Sequence, residues 1–200
     1  MQRIAVEDRR SALLGAALRL IGREGIGAAS TRAVAAEAGM PTASFHYVFA
    51  SYDAMVEQLV TEVLAAQTAS VVEAVGAATT LRAFVAGALA GWLDRAAADP
   101  DSEIALHEIV GWSRSSPERH HLAVMVYEAY TASIASFVEA AEQRFDARWT
   151  VPAADVARFV LVLTDGVAAR WLVDRDADAA RTALGLGADA LLALVAPVRR

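Results

Sequence analysis

The chain is 200 residues long and 56% hydrophobic, with a mean hydropathy of +0.36 and a net charge of −6. That length suits one compact domain, or a small domain joined to a larger one, with apolar side chains enough for a core. The chain has no cysteine, which excludes disulfides and cysteine metal sites. No apolar run approaches the ~20 residues of a membrane span. Glu7, Arg9 and Arg10 interrupt any leading hydrophobic segment. A cytoplasmic protein with no membrane partner is therefore expected.

Helical periodicity runs through the whole chain, predicting an all-α fold of about nine helices. The first helix spans about 7–23, with Leu13, Leu14, Ala17, Leu18 and Ile21 as its apolar stripe. Gly25 and Gly27 end it, and Ile26 packs back between them. Arg3, Arg9 and Arg10 stand at or before its start. They read either as a solvated helix end or as phosphate contacts from an arm.

The stretch from Ser30 to Phe49 holds two short helical patterns on either side of a glycine. Ser30 caps the first, and Val34, Ala35 and Ala38 share one face. Gly39 ends it, because a left-handed residue is cheap only for glycine. Met40 follows as a buried turn residue. Pro41 and Thr42 begin the second helix, where a first-turn proline sacrifices no hydrogen bond. Phe45 and Phe49 point inward. Thr42, Ala43, Ser44, His46 and Tyr47 are left outside, all small or hydrogen-bonding. This is the layout of a helix-turn-helix, whose second helix offers its first side chains to the major groove. The plainer reading is an ordinary corner between two helices.

Ser51 caps a long fourth helix over about 52–75, with Met55, Leu59 and Val63 inside. A fifth runs over about 81–98. Asp99-Pro100-Asp101-Ser102-Glu103 breaks the chain, with Asp101 or Ser102 expected to cap a sixth helix. A seventh spans about 118–148, an eighth runs to about Val173, and a ninth spans about 176–196. The eighth is apolar nearly all round and must be covered on both sides.

The charge is unevenly shared. Residues 1–55 carry six arginines against Glu7, Asp8, Glu24, Glu37 and Asp53, a balance of +1. The remainder therefore carries −7. Such a split repels DNA everywhere except at the head.

Several catalytic patterns start and fail. His107-Glu108 opens a zinc-protease motif, but Gly111 stands where its second histidine belongs. Gly111 to Ser115 lacks the last glycine of a nucleophile elbow. Gly185-Leu186-Gly187-Ala188-Asp189-Ala190 follows a helical stretch where a dinucleotide fingerprint needs a strand. His120 and His121 are adjacent and cannot pair on one helical face. No metal, cofactor or enzymatic activity is expected.

The wording Thr31-Arg32-x-Val34-Ala35-x-x-Ala38-Gly39-Met40 … Ser44-Phe45-x-Tyr47-x-Phe49-x-Ser51 resembles the DNA-binding domain of the tetracycline-repressor (TetR) family. The resemblance implies an N-terminal three-helix DNA-binding domain at 1–51, with its motif at 30–49. A larger helical ligand-binding and dimerisation domain at 52–200 follows. Ser30, Thr31, Arg32, Pro41, Thr42, Ala43, Ser44, His46, Tyr47 and Tyr52 are then the candidate contacts to double-stranded operator DNA. Tyr52 replaces the lysine that the family usually has after this serine, and a phenol brings a donor but no charge. His46 stands where the family often has tyrosine.

Trp92, His107, Trp112, Tyr127, Tyr130, Phe137, Arg170 and Trp171 lie within apolar helices. Individually they read as packed core. As a set they resemble the lining of the family's ligand cavity. His107 and Arg170 are then the polar selectors for a largely apolar effector, aromatic or bearing an acidic group. Phe159, Leu163, Val167, Trp171 and Leu191 are the expected homodimer interface, two helices from each subunit. The resemblance implies a repressor whose effector swings the fourth helix and spoils the spacing of the recognition helices. The alternative is an all-α dimeric interaction module without DNA or ligand.

Overall fold

A computed structural model describes residues 5–196. The described residues form nine α-helices and no sheet: α1 Val6–Glu24, α2 Thr31–Glu37, α3 Thr42–Val48, α4 Tyr52–Val75, α5 Leu81–Ala98, α6 Pro100–Arg114, α7 His120–Phe145, α8 Ala153–Asp174 and α9 Ala177–Ala193. Two single turns of 3-10 helix, Ile26–Ala28 and Pro117–Arg119, precede α2 and α7.

Packing groups these helices into two units that do not follow chain order. One holds the chain up to Val63 together with Asp99–Val126; the other holds Leu64–Ala98 and the chain from Tyr127.

In the first unit α1 packs against α2, α3 and α6. Its stripe is wider than periodicity suggests, since Ala16 and Leu20 are buried with Leu13, Leu14, Ala17 and Ile21. Gly22 lets α6 come close: a Cβ there would stand 2.7 Å from the Asp101 Cβ. The Ile26 N–H donates to Glu108 at 3.3 Å, joining the turn after α1 to α6. The start of α6 differs from expectation. Asp99 is the residue before the helix, Pro100 fills its first turn, and the Ser102 hydroxyl donates back to Asp99 at 2.6 Å. Proline suits that place because its missing N–H would be unused there.

The second unit is built from the rest of α4 and α7 with α5, α8 and α9. Leu89, Leu93, Val156, Trp171, Leu184 and Leu191 share its core. α7 stops at Phe145, because Asp146 turns left-handed with φ 48°. The segment after it pairs with the end of α9 instead of extending the helix: the Thr150 N–H donates to Leu194 O and the Ala196 N–H to Arg148 O, each at 2.7 Å. Both helices are therefore shorter than periodicity suggested. Arg144 closes α4 by donating to the carbonyls of Val75, Gly76 and Ala78. That supplies partners for carbonyls a helix end leaves bare. Arg175, at φ 56°, ends α8, and Asp176 caps α9 by accepting from the Ala179 N–H at 2.9 Å.

Candidate DNA-binding head and ligand cavity

Local chemistry builds α2 and α3. The Ser30 Oγ accepts from the Ala33 N–H at 3.2 Å and caps α2. Gly39, at φ 67°, turns the chain out of α2. The Met40 N–H donates to Ala35 O at 2.8 Å and the Gly39 N–H to Ala36 O at 3.0 Å. This paired closure is what a left-handed residue after a helix permits. Met40 itself is half-buried rather than buried. Pro41 precedes α3 as its extended cap residue, and Thr42 is its first helical residue.

Phe45 and Phe49 are sealed inside, their ring centroids 5.2 Å apart. Locking those two rings fixes which side of α3 looks outward. Ala43, His46 and Tyr47 are exposed there, Tyr47 to 64%, and Thr42 and Ser44 are half-buried. Ser30, Arg32 and Pro41 are also exposed, and Thr31 is half-buried. The Arg9 guanidinium lies 5.9 Å from the Tyr47 ring centroid.

Charge on the head is mostly spoken for. Arg23 and Arg19 reach Glu37 at 3.1 and 3.5 Å, tying α1 to α2. The hydrogen bond from Arg23 holds the Glu37 carboxyl below its usual range. Arg10 pairs with Glu7 at 2.8 Å. Among the described residues Arg9 and Arg32 have no ion-pair partner. Arg3 lies outside the described residues.

Tyr52 departs from its expected role. Its phenolic oxygen is buried and meets no hydrogen-bond partner. The ring packs edge-on against Trp112, 5.8 Å between centroids, and Arg119 covers Trp112 at 4.1 Å. The hydroxyl that was to reach a phosphate is thus turned into the protein. Packing against α6, distant in sequence, decides this.

The second unit holds a partly open cavity of about 120 Å³. The inner face of α4 supplies Leu64, Gln67, Thr68 and Val71; α5, α7, α8 and Trp149 complete the wall, with Leu191 from α9. Of the expected lining residues, Trp92, Tyr130 and Phe137 are brought together there. The other five are not. His107 is exposed on α6, and Trp112 serves the Tyr52 contact; both belong to the first unit. Tyr127 is partly exposed and donates to Asp165 at 2.9 Å. Arg170 is 76% exposed and pairs one turn along α8 with Asp174 at 2.8 Å. Trp171 is core, with Arg175 at 4.6 Å from its ring centroid. The lining contains no charged side chain, so an acidic ligand would find no cation in the wall.

Sequence reasoning passed over Gln67, Thr68, Ser133 and Trp149. The signal was present: Leu64, Gln67, Thr68 and Val71 recur at helical spacing, polar residues on an inward face. The Tyr130 hydroxyl donates to the Gln67 side-chain oxygen at 2.7 Å, and Thr68 Oγ1 and Ser133 Oγ stand 3.0 Å apart.

The expected interface residues also separate. Val167, Trp171 and Leu191 are buried in the core of their own unit, and Leu163 packs over Gly187. Only Phe159, 40% exposed, stands clear of that core. The apolar residues that α8 and α9 turn outward are instead Phe159, Val162, Val173 and Leu186. Among the described residues no cluster of three or more His, Cys, Asp or Glu could hold a metal, and no helix is long and apolar enough to cross a membrane.

A capped helix, a left-handed glycine and a second helix with an outward polar face have the geometry of a helix-turn-helix. Residues 13–59 match the family described as bacterial regulatory proteins, tetR family. The chain is 30% identical over 172 residues, 86% of its length and 88% of the relative's, to the HTH-type nicotine-responsive transcriptional repressor HdnoR of Paenarthrobacter nicotinovorans. A Rhodococcus sp. crystal structure described as a TetR-family transcriptional regulator has the same fold, with TM-score 0.82 and 20% identity over 92% of this chain and 98% of that one. So does the regulator FadR of Bacillus subtilis, solved with stearoyl-CoA, at TM-score 0.72 and 14% identity over 88% of this chain and 96% of that one. The chain belongs to the TetR family of DNA-binding transcriptional regulators.

Proposed function

We propose that the chain is a dimeric repressor that leaves its operator when a small, uncharged-walled cavity in the second unit takes up an effector. The DNA-reading work belongs to residues 1–51, and the effector and partner work to 52–200. The observation that carries this reading is the outer face of α3: His46 and Tyr47 point outward beside Ala43, while Phe45 and Phe49 anchor the opposite side. Ser44, His46 and Tyr47 read base edges, and Ser30, Thr31, Arg32, Pro41, Thr42 and Ala43 position the helix on the backbone. Tyr52 is left out of this contact set because its hydroxyl is buried.

One head reads too few bases for specificity, so two subunits present two α3 helices about 34–36 Å apart, one turn of DNA. The exposed apolar residues of α8 and α9, Phe159, Val162 and Leu186, supply the subunit contact. The cavity supplies the switch. An effector that binds the released state more tightly shifts the population away from the DNA-competent one. A nicotine-responsive repressor among the relatives supports release by a small heterocyclic ligand.

The test is selection of operator from random DNA, followed by fluorescence anisotropy across a salt series. A two-fold symmetric site with half-sites one turn apart, and affinity falling steeply with salt, is the expected result. Enrichment of no sequence would favour a protein-interaction module instead.

A further inference from the structure

The cavity carries chemistry that narrows its occupant. Five aromatic side chains wall it: Phe84, Trp92, Tyr130, Phe137 and Trp149. No carboxylate is available to balance a bound cation and no guanidinium or ammonium to balance an anion. The guanidinium of Arg144 lies 5.9 Å from the centroid of the wall ring Phe84, so the charge behind that ring is positive. A charged ligand would lose its hydration without gaining a counter-ion, which is heavily unfavourable.

One polar feature is unspent. Thr68 Oγ1 and Ser133 Oγ are 3.0 Å apart, and either can donate to the other. Two hydroxyls joined by one hydrogen bond leave one O–H over. No other described group takes it. Both residues are half-buried in the cavity wall, so this O–H faces the space a ligand would fill. That O–H therefore suits a ligand carrying an acceptor.

We infer that the effector binds as an uncharged aromatic ring compound bearing a hydrogen-bond acceptor, held by the Thr68–Ser133 hydroxyl pair. The inference rests on the reading of the cavity as the effector site. It also sets a size. An apolar cavity of about 150 Å³ takes up benzene. At about 120 Å³ this one is of the size of a single ring.

The full-length protein is titrated by calorimetry, with thermal melting in parallel, against pyridine, benzene, N-methylpyridinium and benzoate. Pyridine should bind best. N-methylpyridinium and benzoate should bind at least about 10-fold more weakly. Pyridine affinity should fall as it becomes protonated at low pH, while benzene affinity stays level. The paired replacement Thr68→Val with Ser133→Ala should remove the preference of pyridine over benzene and leave benzene binding in place. Should that pair fail to fold, the single change Ser133→Ala, which takes away one of the two hydroxyls, should narrow the preference of pyridine over benzene, and a preference unchanged in it would overturn the role of the pair. N-methylpyridinium or benzoate binding as tightly as pyridine would overturn the inference and leave the effector-cavity reading standing. A pyridine preference that survives in the folded double variant would overturn the role of the hydroxyl pair. Failure of both benzene and pyridine to bind at millimolar concentration would overturn the effector-cavity reading and the inference with it.

Discussion

The Tyr52 ring meets the edge of Trp112 at 5.8 Å, and its phenolic oxygen is buried with no hydrogen-bond partner. Burial pushes the hydroxyl up to about 12; the Asp53 carboxylate adds to the rise and Arg119 opposes it. The first residue of α4 is therefore held by α6 rather than by DNA. Removing an unsatisfied buried hydroxyl without changing shape recovers its lost hydration. Tyr52→Phe should raise the melting temperature, by about 1 kcal/mol in stability, and leave operator affinity unchanged. The folded state holds this proton more tightly than the unfolded chain does. The stability of the protein is therefore unaffected by this group below about pH 10 and declines as pH rises toward 12. Melts of the two proteins across that window should therefore converge in slope only below it. A drop in operator affinity for Tyr52→Phe would restore the phosphate contact.

Gly22 sets how closely α1 meets α6. Adding a Cβ places it 2.7 Å from the Asp101 Cβ and 3.1 Å from its Cα, atoms of the α6 backbone region that cannot swing away. Gly22→Ala should cost about 1–3 kcal/mol despite the better helix propensity of alanine. Chemical denaturation followed by circular dichroism reads this directly. A stabilised variant would mean that α6 shifts freely.

The outward residues of α8 and α9 carry the interface prediction. Val162 is 65% exposed and Leu186 69%, so changing them to Asp removes nothing from the core of their own unit. The double change should leave a folded chain that sediments as a monomer at micromolar concentration and binds operator weakly. Trp171→Asp, by contrast, buries a charge in the core and should unfold the chain. A dimer that persists with Val162 and Leu186 both charged would put the contact on another surface.

Local rules read the head well. Ser30, Gly39 and Ser51 act through their immediate neighbours in sequence: the Ser51 Oγ accepts from the Ala54 N–H at 3.0 Å, as a cap should. Phe45 and Phe49 are one turn apart, and their shared face is written in that spacing. Tyr52 is not legible locally, because its place depends on Trp112 and Arg119, some sixty residues away. The body was harder for a different reason. Its helices are rich in alanine and valine on every side, so composition does not say which way they are rotated. Val167 and Trp171 face the core while Phe159 and Val162 face out, and all four are apolar. His107 and Arg170 interrupt apolar stretches of sequence, yet both stand on outer faces.

Arg170 illustrates the consequence. Its partner is Asp174, one turn on, and the pair is largely in water. Such pairs contribute little. Arg170→Ala should change stability by no more than about 0.5 kcal/mol and leave pyridine binding unaltered. Loss of ligand binding in that variant would return Arg170 to the effector site.

The central claim is that α3 reads DNA through its outer face. The direct measurement is the affinity of Tyr47→Ala for the selected operator, by fluorescence anisotropy at fixed salt, with circular dichroism as the check on folding. Tyr47 is 64% exposed and contributes nothing to the core, so helicity should be unchanged. Operator affinity should fall by at least ~1 kcal/mol, about five-fold or more. Affinity equal to that of the unaltered chain would contradict the account and assign the reading of DNA to another surface.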